Sequence, residues 1–128
     1  MNAFVYHIYK DESDCVASGG NKMIAEKSGE CLTVYLNGEI DHCSAERLRK
    51  EIEIHLRDSS IQKLLLDFSH VTFMDSSGIG MLIGRYKTMA QRGGSVSARS
   101  MQPSVGRLFR MAGLHRIIAE QKSESEEK

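Results

Sequence analysis

From residue 22 to residue 120 the apolar positions switch repeatedly between a period of two and a helical period. Leu32, Val34 and Leu36 alternate with Thr33 and Tyr35, as a half-buried strand requires. Lys22–Glu26 and Cys31–Asn37, separated by Ser28-Gly29, read as a hairpin. Lys63–Phe68 is a nearly continuous apolar run bounded by polar residues, which predicts a central strand buried on both faces. Ser95–Ser100 gives a modest strand around Val96, and Arg116–Ala119 a last one through Ile117 and Ile118. Between these lie helical patterns. Ala45, Leu48, Ile52 and Leu56 mark one face of a helix that Ser44 would cap, leaving Gly38–Cys43 as a loop. Ile79, Leu82, Ile83, Tyr86 and Ala90 mark a second helix, from about Ser77 to Gln91. Val105, Leu108, Phe109 and Ala112 mark a third, opened by Pro103 and stopped by Gly113.

This order predicts an α/β fold: a mixed β-sheet of four to five strands packed against three or more α-helices. Right-handed crossovers would make the later strands parallel. Loops that follow the carboxyl ends of such strands gather at one edge, so Asp41 and Ser77 are free to share a surface. Residues 1–21 read as an N-terminal extension, either flexible or an extra edge strand through Phe4–Tyr9, joined by Ser18-Gly19-Gly20. The domain proper would run over residues 22–120. Residues 121–128 form a Ser/Glu-rich tail with too little apolar content to order itself.

Composition narrows the function classes. A chain of 128 residues supports one domain with a real core. Seventeen basic and seventeen acidic residues cancel, so no charge field points to nucleic acid or a membrane surface. With no Trp and 6% aromatics, a base-stacking platform is not expected. Cys15, Cys31 and Cys43 lack CxxC spacing and read as scattered reduced thiols rather than a disulfide framework or zinc site. Neither a signal peptide nor an apolar run long enough to span a bilayer is legible, which places the chain in the cytoplasm.

The chemistry concentrates in Phe73-Met74-Asp75-Ser76-Ser77-Gly78-Ile79-Gly80. Asp75, Ser76 and Ser77 suit a helix N-terminus, where side-chain oxygens accept from free backbone N–H groups. Gly78 and Gly80 remove bulk and would let a partner approach. A hydroxyl at the positive end of a helix can carry a phosphate, and an ordinary cap is the alternative. A Ser77 nucleophile served by His42 or His70 lacks any GxSxG elbow. Gly78-x-Gly80-x-x-x-Gly84 has the wrong spacing for a dinucleotide loop, and no Walker lysine is present. The five histidines lack metal-ligand spacing. Glu39 and Asp41 read as loop and cap acids, and Arg85 and Lys87 as solvated or rim charges. Arg107, Arg110 and Arg116 read as a surface basic patch. The chain is therefore not expected to be an enzyme, and no cofactor or metal is expected.

Three blocks carry a resemblance: Phe73–Gly80 with Gly84-Arg85-Tyr86-Lys87, then Leu36-Asn37-Gly38-Glu39-Ile40-Asp41, then Arg107–Leu114. Together they resemble the anti-sigma factor antagonists, bacterial STAS-domain proteins, and look closer to the sporulation branch than to the general-stress branch. The resemblance implies partner switching. The unmodified protein would bind an anti-sigma factor that is also a serine kinase, so freeing a sigma factor for transcription. Phosphorylation on Ser77, with Ser76 as runner-up, would release it, and a serine phosphatase would reverse the mark. The same resemblance places Glu39, Asp41, His42, Asp75, Ser76, Gly78, Ile79 and Arg85 on the partner surface. It leaves open a ligand-sensing STAS module, for a nucleotide or lipid, in a stress or transport assembly.

Overall fold

Six strands lie side by side in chain order, and three helices connect the later ones. The computed structural model describes residues 4–8 and 23–121. The elements are β1 (Phe4–Ile8), β2 (Met23–Ser28), β3 (Cys31–Ile40), α1 (His42–His55), β4 (Lys63–Met74), α2 (Ser76–Gln91), β5 (Ser95–Arg99), α3 (Pro103–Met111) and β6 (Ala119–Gln121). A 3₁₀ turn, Leu114–Arg116, precedes β6. The first three strands run antiparallel to one another, and β3 through β6 are mutually parallel. This is the mixed sheet with three helices that the hydrophobic pattern predicts, with six strands among the described residues where four to five are expected, because β1 adds an edge. Within residues 1–21 only Phe4–Ile8 is described, as an antiparallel edge strand against β2. The Ser18-Gly19-Gly20 joint, Cys15 and the tail beyond Gln121 lie outside the described residues.

Register decides which face is apolar. Leu32, Val34, Leu64, Leu66, Val96 and Ala98 are cross-strand neighbours, all buried. They join Ile52, Leu56, Leu82, Met89, Val105 and Phe109 of the helices in one core. Leu65 stands outside that core, with the opposite parity. The same parity carries a polar row. The Tyr35 hydroxyl donates to Glu26 at 3.1 Å, and Arg99 stands 6.0 Å from the Tyr35 ring centroid. Arg99 Nε donates to Asp67 at 2.8 Å, and Asp67 also accepts from Ser69 Oγ at 2.6 Å. Burial pushes the Asp67 carboxyl up, but its bonds from Ser69 and Arg99 outweigh that and hold it below its ordinary value.

Several boundaries differ from the sequence expectation. Helix α1 begins at His42, because Asp41 and not Ser44 is its cap. Strand β3 reaches Ile40, and β4 continues beyond Phe68 through Ser69–Met74. Register shifts near Tyr35/Asn37 and Gly38/Glu39 re-aim the strand side chains, so Val71, Met74 and Ile40 turn inward. The last strand lies at Ala119–Gln121, because the chain spends Leu114–Arg116 in a 3₁₀ turn after Gly113 at φ 83°. Helix α2 buries Gly78, Met81, Leu82, Arg85 and Met89, while Ala90 is exposed. Hydropathy found Leu82 and the flanking Ile79, Ile83 and Tyr86, which pack against the core, but not the glycine and the arginine of that stripe. Cys31 is a free thiol, whereas Cys43 is disulfide-bonded, against the expectation of three separate reduced thiols. Cysteine spacing does not reveal pairing that chain geometry decides.

Two stability predictions follow from the packing. A Cβ at Gly78 would collide with Met74 Cγ and Sδ and touch Ile40, whereas Gly84 faces open space. Gly78→Ala is expected to destabilise by about 1–3 kcal/mol and Gly84→Ala to stabilise by up to about 1 kcal/mol, read from urea unfolding. Glu51 on α1 is buried, one of its oxygens is unpartnered, and burial pushes its carboxyl up to about 7 against the opposing charge of Arg47. Its value when folded exceeds the ordinary 4.5, so its contribution is whole below that pH and is lost as pH rises through about 7. Glu51→Gln should therefore flatten the decline in unfolding midpoint over that window, by about 1 kcal/mol.

Candidate functional site

The parallel pairing of β3 with β4 aligns their carboxyl ends, Ile40 opposite Met74. The next residue of each strand is an aspartate, and each aspartate caps the helix that follows. Asp41 Oδ1 accepts from the Cys43 and Ser44 backbone N–H groups at 3.1 and 3.0 Å. Ser44 Oγ in return accepts from Asp41 N–H at 3.0 Å and donates to the Glu39 carbonyl at 2.7 Å, completing a capping box. The bond from the Ser44 backbone is the main cause holding the Asp41 carboxyl below its usual range. Asp75 Oδ1 accepts from Ser77 N–H at 2.9 Å, and Asp75 N–H donates to the Ile40 carbonyl at 3.2 Å. That last bond ties the two helix starts together. Neither α1 nor α2 carries an acid in its first turn, so two positive helix ends sit side by side.

Between them opens a cleft of about 520 Å³. His42, Ala45, Glu46 and Arg49 line it from α1, and Ser77, Gly80 and Met81 from α2. Ser77 is half-buried and lines this cleft, while Ser76 is exposed and does not line it. Arg49 binds Glu46 through two bonds, Nε to Oε1 at 3.2 Å and Nη2 to Oε2 at 2.6 Å. That pairing holds the Glu46 carboxyl below its usual range. No set of three His, Cys, Asp or Glu groups suited to a metal exists among the described residues, and no helix among them is long and apolar enough to cross a membrane.

The expected surface residues separate into those the fold assembles and those it removes. His42 and Ser77 line one cleft, and Glu39, Asp41, Asp75 and Ser76 lie at the same end of the sheet. Ile79 is half-buried and leans on the core. Gly78 is buried, so its lack of a side chain serves packing against Met74 and Ile40 and not the approach of a partner. Arg85 is neither solvated nor a rim charge. It is 6% exposed, and its Nε lies 2.9 Å from Glu53 Oε2 of α1, in ion-pair range though poorly aligned for a hydrogen bond. Burial pushes its guanidinium below the ordinary value, with Glu53 opposing.

Three residues of this surface went unpredicted. Phe73, 46% exposed and opposite Glu39, offers an apolar contact beside the cleft. Glu46 and Arg49 follow His42 at i+4 and i+7, the spacing of one helix face, so extending the His42 face would have found them.

A STAS-domain family model matches residues 22–127. An anti-sigma F factor antagonist of Paenibacillus polymyxa is 36% identical over 87 residues, 68% of this chain and 74% of that protein. The anti-sigma factor antagonist SpoIIAA in its unphosphorylated form superposes with a TM-score of 0.70 at 27% identity, over 81% of this chain and 90% of that one. The Bacillus cell fate determinant SpoIIAA in its phosphorylated form superposes with a TM-score of 0.64 at 26% identity, over 81% and 94%.

The caps carry a measurable load. Asp41→Ala, which loses the carboxylate that accepts from the Cys43 and Ser44 N–H groups but keeps the backbone bond to Ser44 Oγ, should cost about 1–2 kcal/mol, and Asp75→Ala about 0.5–1 kcal/mol. Amide exchange should quicken in the first turn of the affected helix and not in the other.

Proposed function

The chain belongs to the STAS-domain family, among the anti-sigma factor antagonists, and from that premise we propose that it switches partners through phosphorylation of Ser77. The unmodified protein binds an anti-sigma factor that is also an ATP-dependent serine kinase, and so frees a sigma factor. Phosphorylation of Ser77 by that kinase ends the contact, and a serine phosphatase restores it. In this reading the chain is the substrate and performs no catalysis. The single observation that carries the proposal is the position of Ser77: a reachable hydroxyl in an open cleft at two adjoining helix N-termini.

The physics needs no refolding. A phosphate adds about −1.5 to −2 charges at neutral pH and three acceptor oxygens. At the second position of α2 it meets the first-turn N–H groups and the positive helix end, so the fold tolerates it. A partner seated over the cleft mouth would have to desolvate that charge beside the Asp75 carboxylate. A penalty of about 3 kcal/mol weakens binding more than 100-fold. Glu39, His42, Phe73 and Ser76, exposed around the mouth, are the surface such a partner would cover. The volume of the cleft also favours a second reading, a module that binds a nucleotide or lipid there. Calorimetry with nucleotides and lipid headgroups separates the two, since partner switching expects no heat of binding.

The test is incubation with ATP and candidate anti-sigma kinases, followed by mass spectrometry. Ser77→Ala should retain partner binding within about threefold and take no label, while Ser76→Ala should be labelled normally. Ser77→Asp should weaken the complex tenfold or more with little change in melting temperature. Label on Ser76 would refute the site, and unfolding of Ser77→Asp would reduce the serine to a cap.

A further inference from the structure

Arg49 sits on the same cleft as Ser77, and its present partner is weak. The Arg49–Glu46 pair joins residues three apart on α1 with side chains 42% and 50% exposed. Exposed pairs of this kind contribute only a few tenths of a kcal/mol, because water screens both charges. A phosphoserine dianion offers Arg a stronger, two-pronged acceptor than a single carboxylate. Glu46 and Ser77, which would carry the two candidate acceptors, both line the cleft that Arg49 lines. The other charged or titratable groups nearby are His42 on the same wall, Lys50, whose charge also acts on Glu46, Asp75 at the α2 cap, and Glu53 with Arg85 one to two turns further along. Arg85 is already committed to Glu53 and buried, and Asp75 is a like charge. Arg49 is therefore the guanidinium free to move.

Resting on the phosphorylation reading above, we propose that Arg49 is an internal latch: on phosphorylation of Ser77 it leaves Glu46 and clamps the phosphoryl group across the α1–α2 cleft. No covalent bond changes beyond the phosphorylation itself. The exchange does two things to the surface. It draws the phosphate toward the cleft and frees the Glu46 carboxylate, so the modified face gains an acid as well as a phosphate. A partner built for the resting face, with Arg49 and Glu46 neutralising each other, then meets like charge at two points. The latch also accounts for an arginine at this position of α1 when the pair it makes contributes so little to the fold.

The experiment does not need the kinase. Phosphoserine is installed at position 77 during synthesis of the full chain, and the second ionisation of the phosphate is followed by ³¹P NMR against pH. A guanidinium at contact distance lowers that ionisation. Arg49→Gln is expected to raise it by about half a unit or more, and Glu46→Gln, which releases Arg49, to lower it or leave it unchanged. The Arg49 Nε–H resonance should shift on phosphorylation in the otherwise unchanged chain. An ionisation that ignores Arg49→Gln, or an Nε–H resonance that does not move, overturns the latch. Either result leaves the partner-switching reading standing, because that is tested separately by labelling and binding. Arg49 and Glu46 are exposed, so neither variant threatens folding, and matching far-ultraviolet spectra would establish this.

Discussion

The parallel register of β3 and β4 is the constraint on which the site depends. Ile40 stands opposite Met74, and one residue later each strand yields to an aspartate that caps a helix. A slip of one residue would turn Val34 and Leu66 away from the core and separate the two caps together. Burial of the apolar face and alignment of the helix starts are therefore one requirement. The hydrogen bond from Asp75 N–H to the Ile40 carbonyl is the local expression of that alignment.

The two helices are held at a working distance by unlike means at their two ends. Near the cleft, small residues dominate the α2 wall, with Gly80 open and Ser77 short. Further along, Arg85 and Glu53 bind α2 to α1, and Thr88 Oγ1 donates to Glu53 at 3.2 Å. A half-buried ion pair contributes little net stability, because desolvation offsets attraction. Breaking it would strand a charge, so it fixes spacing more than it adds strength. The contact between α1 and α2 is thus open at the cleft and pinned further along.

The sheet is asymmetric for a related reason. All the helices share one core face, and the opposite face carries the Glu26–Tyr35–Arg99–Asp67 row. Asp67 remains charged despite its burial because three donors, from Ser69 and Arg99, surround it. Two charged clusters differ in kind: a satisfied polar network across the sheet, and the exposed Arg49–Glu46 pair in the cleft at the helix starts.

The sequence by itself determined the order and kind of nearly every element and the apolar buried residues of β3 and α1, and it marked Asp75–Ser77 as a helix start. These were legible because strand and helix periods, caps and breakers are local, and because motif blocks persist along the chain. It misplaced the start of α1 and the extent of β4, and it missed Gly78 and Arg85 on the buried face of α2. Those depend on what lies across the fold: an aspartate aligned by a neighbouring strand, bulges that re-aim Val71 and Met74, and a glutamate on α1 that lets Arg85 go inside. Gly78 and Arg85 looked like surface features because hydropathy reads a residue's own chemistry and not its partner. Only the tertiary structure brought His42, Glu46 and Arg49 to Ser77, since residues more than 25 positions apart meet through register and helix rotation, which no local pattern encodes.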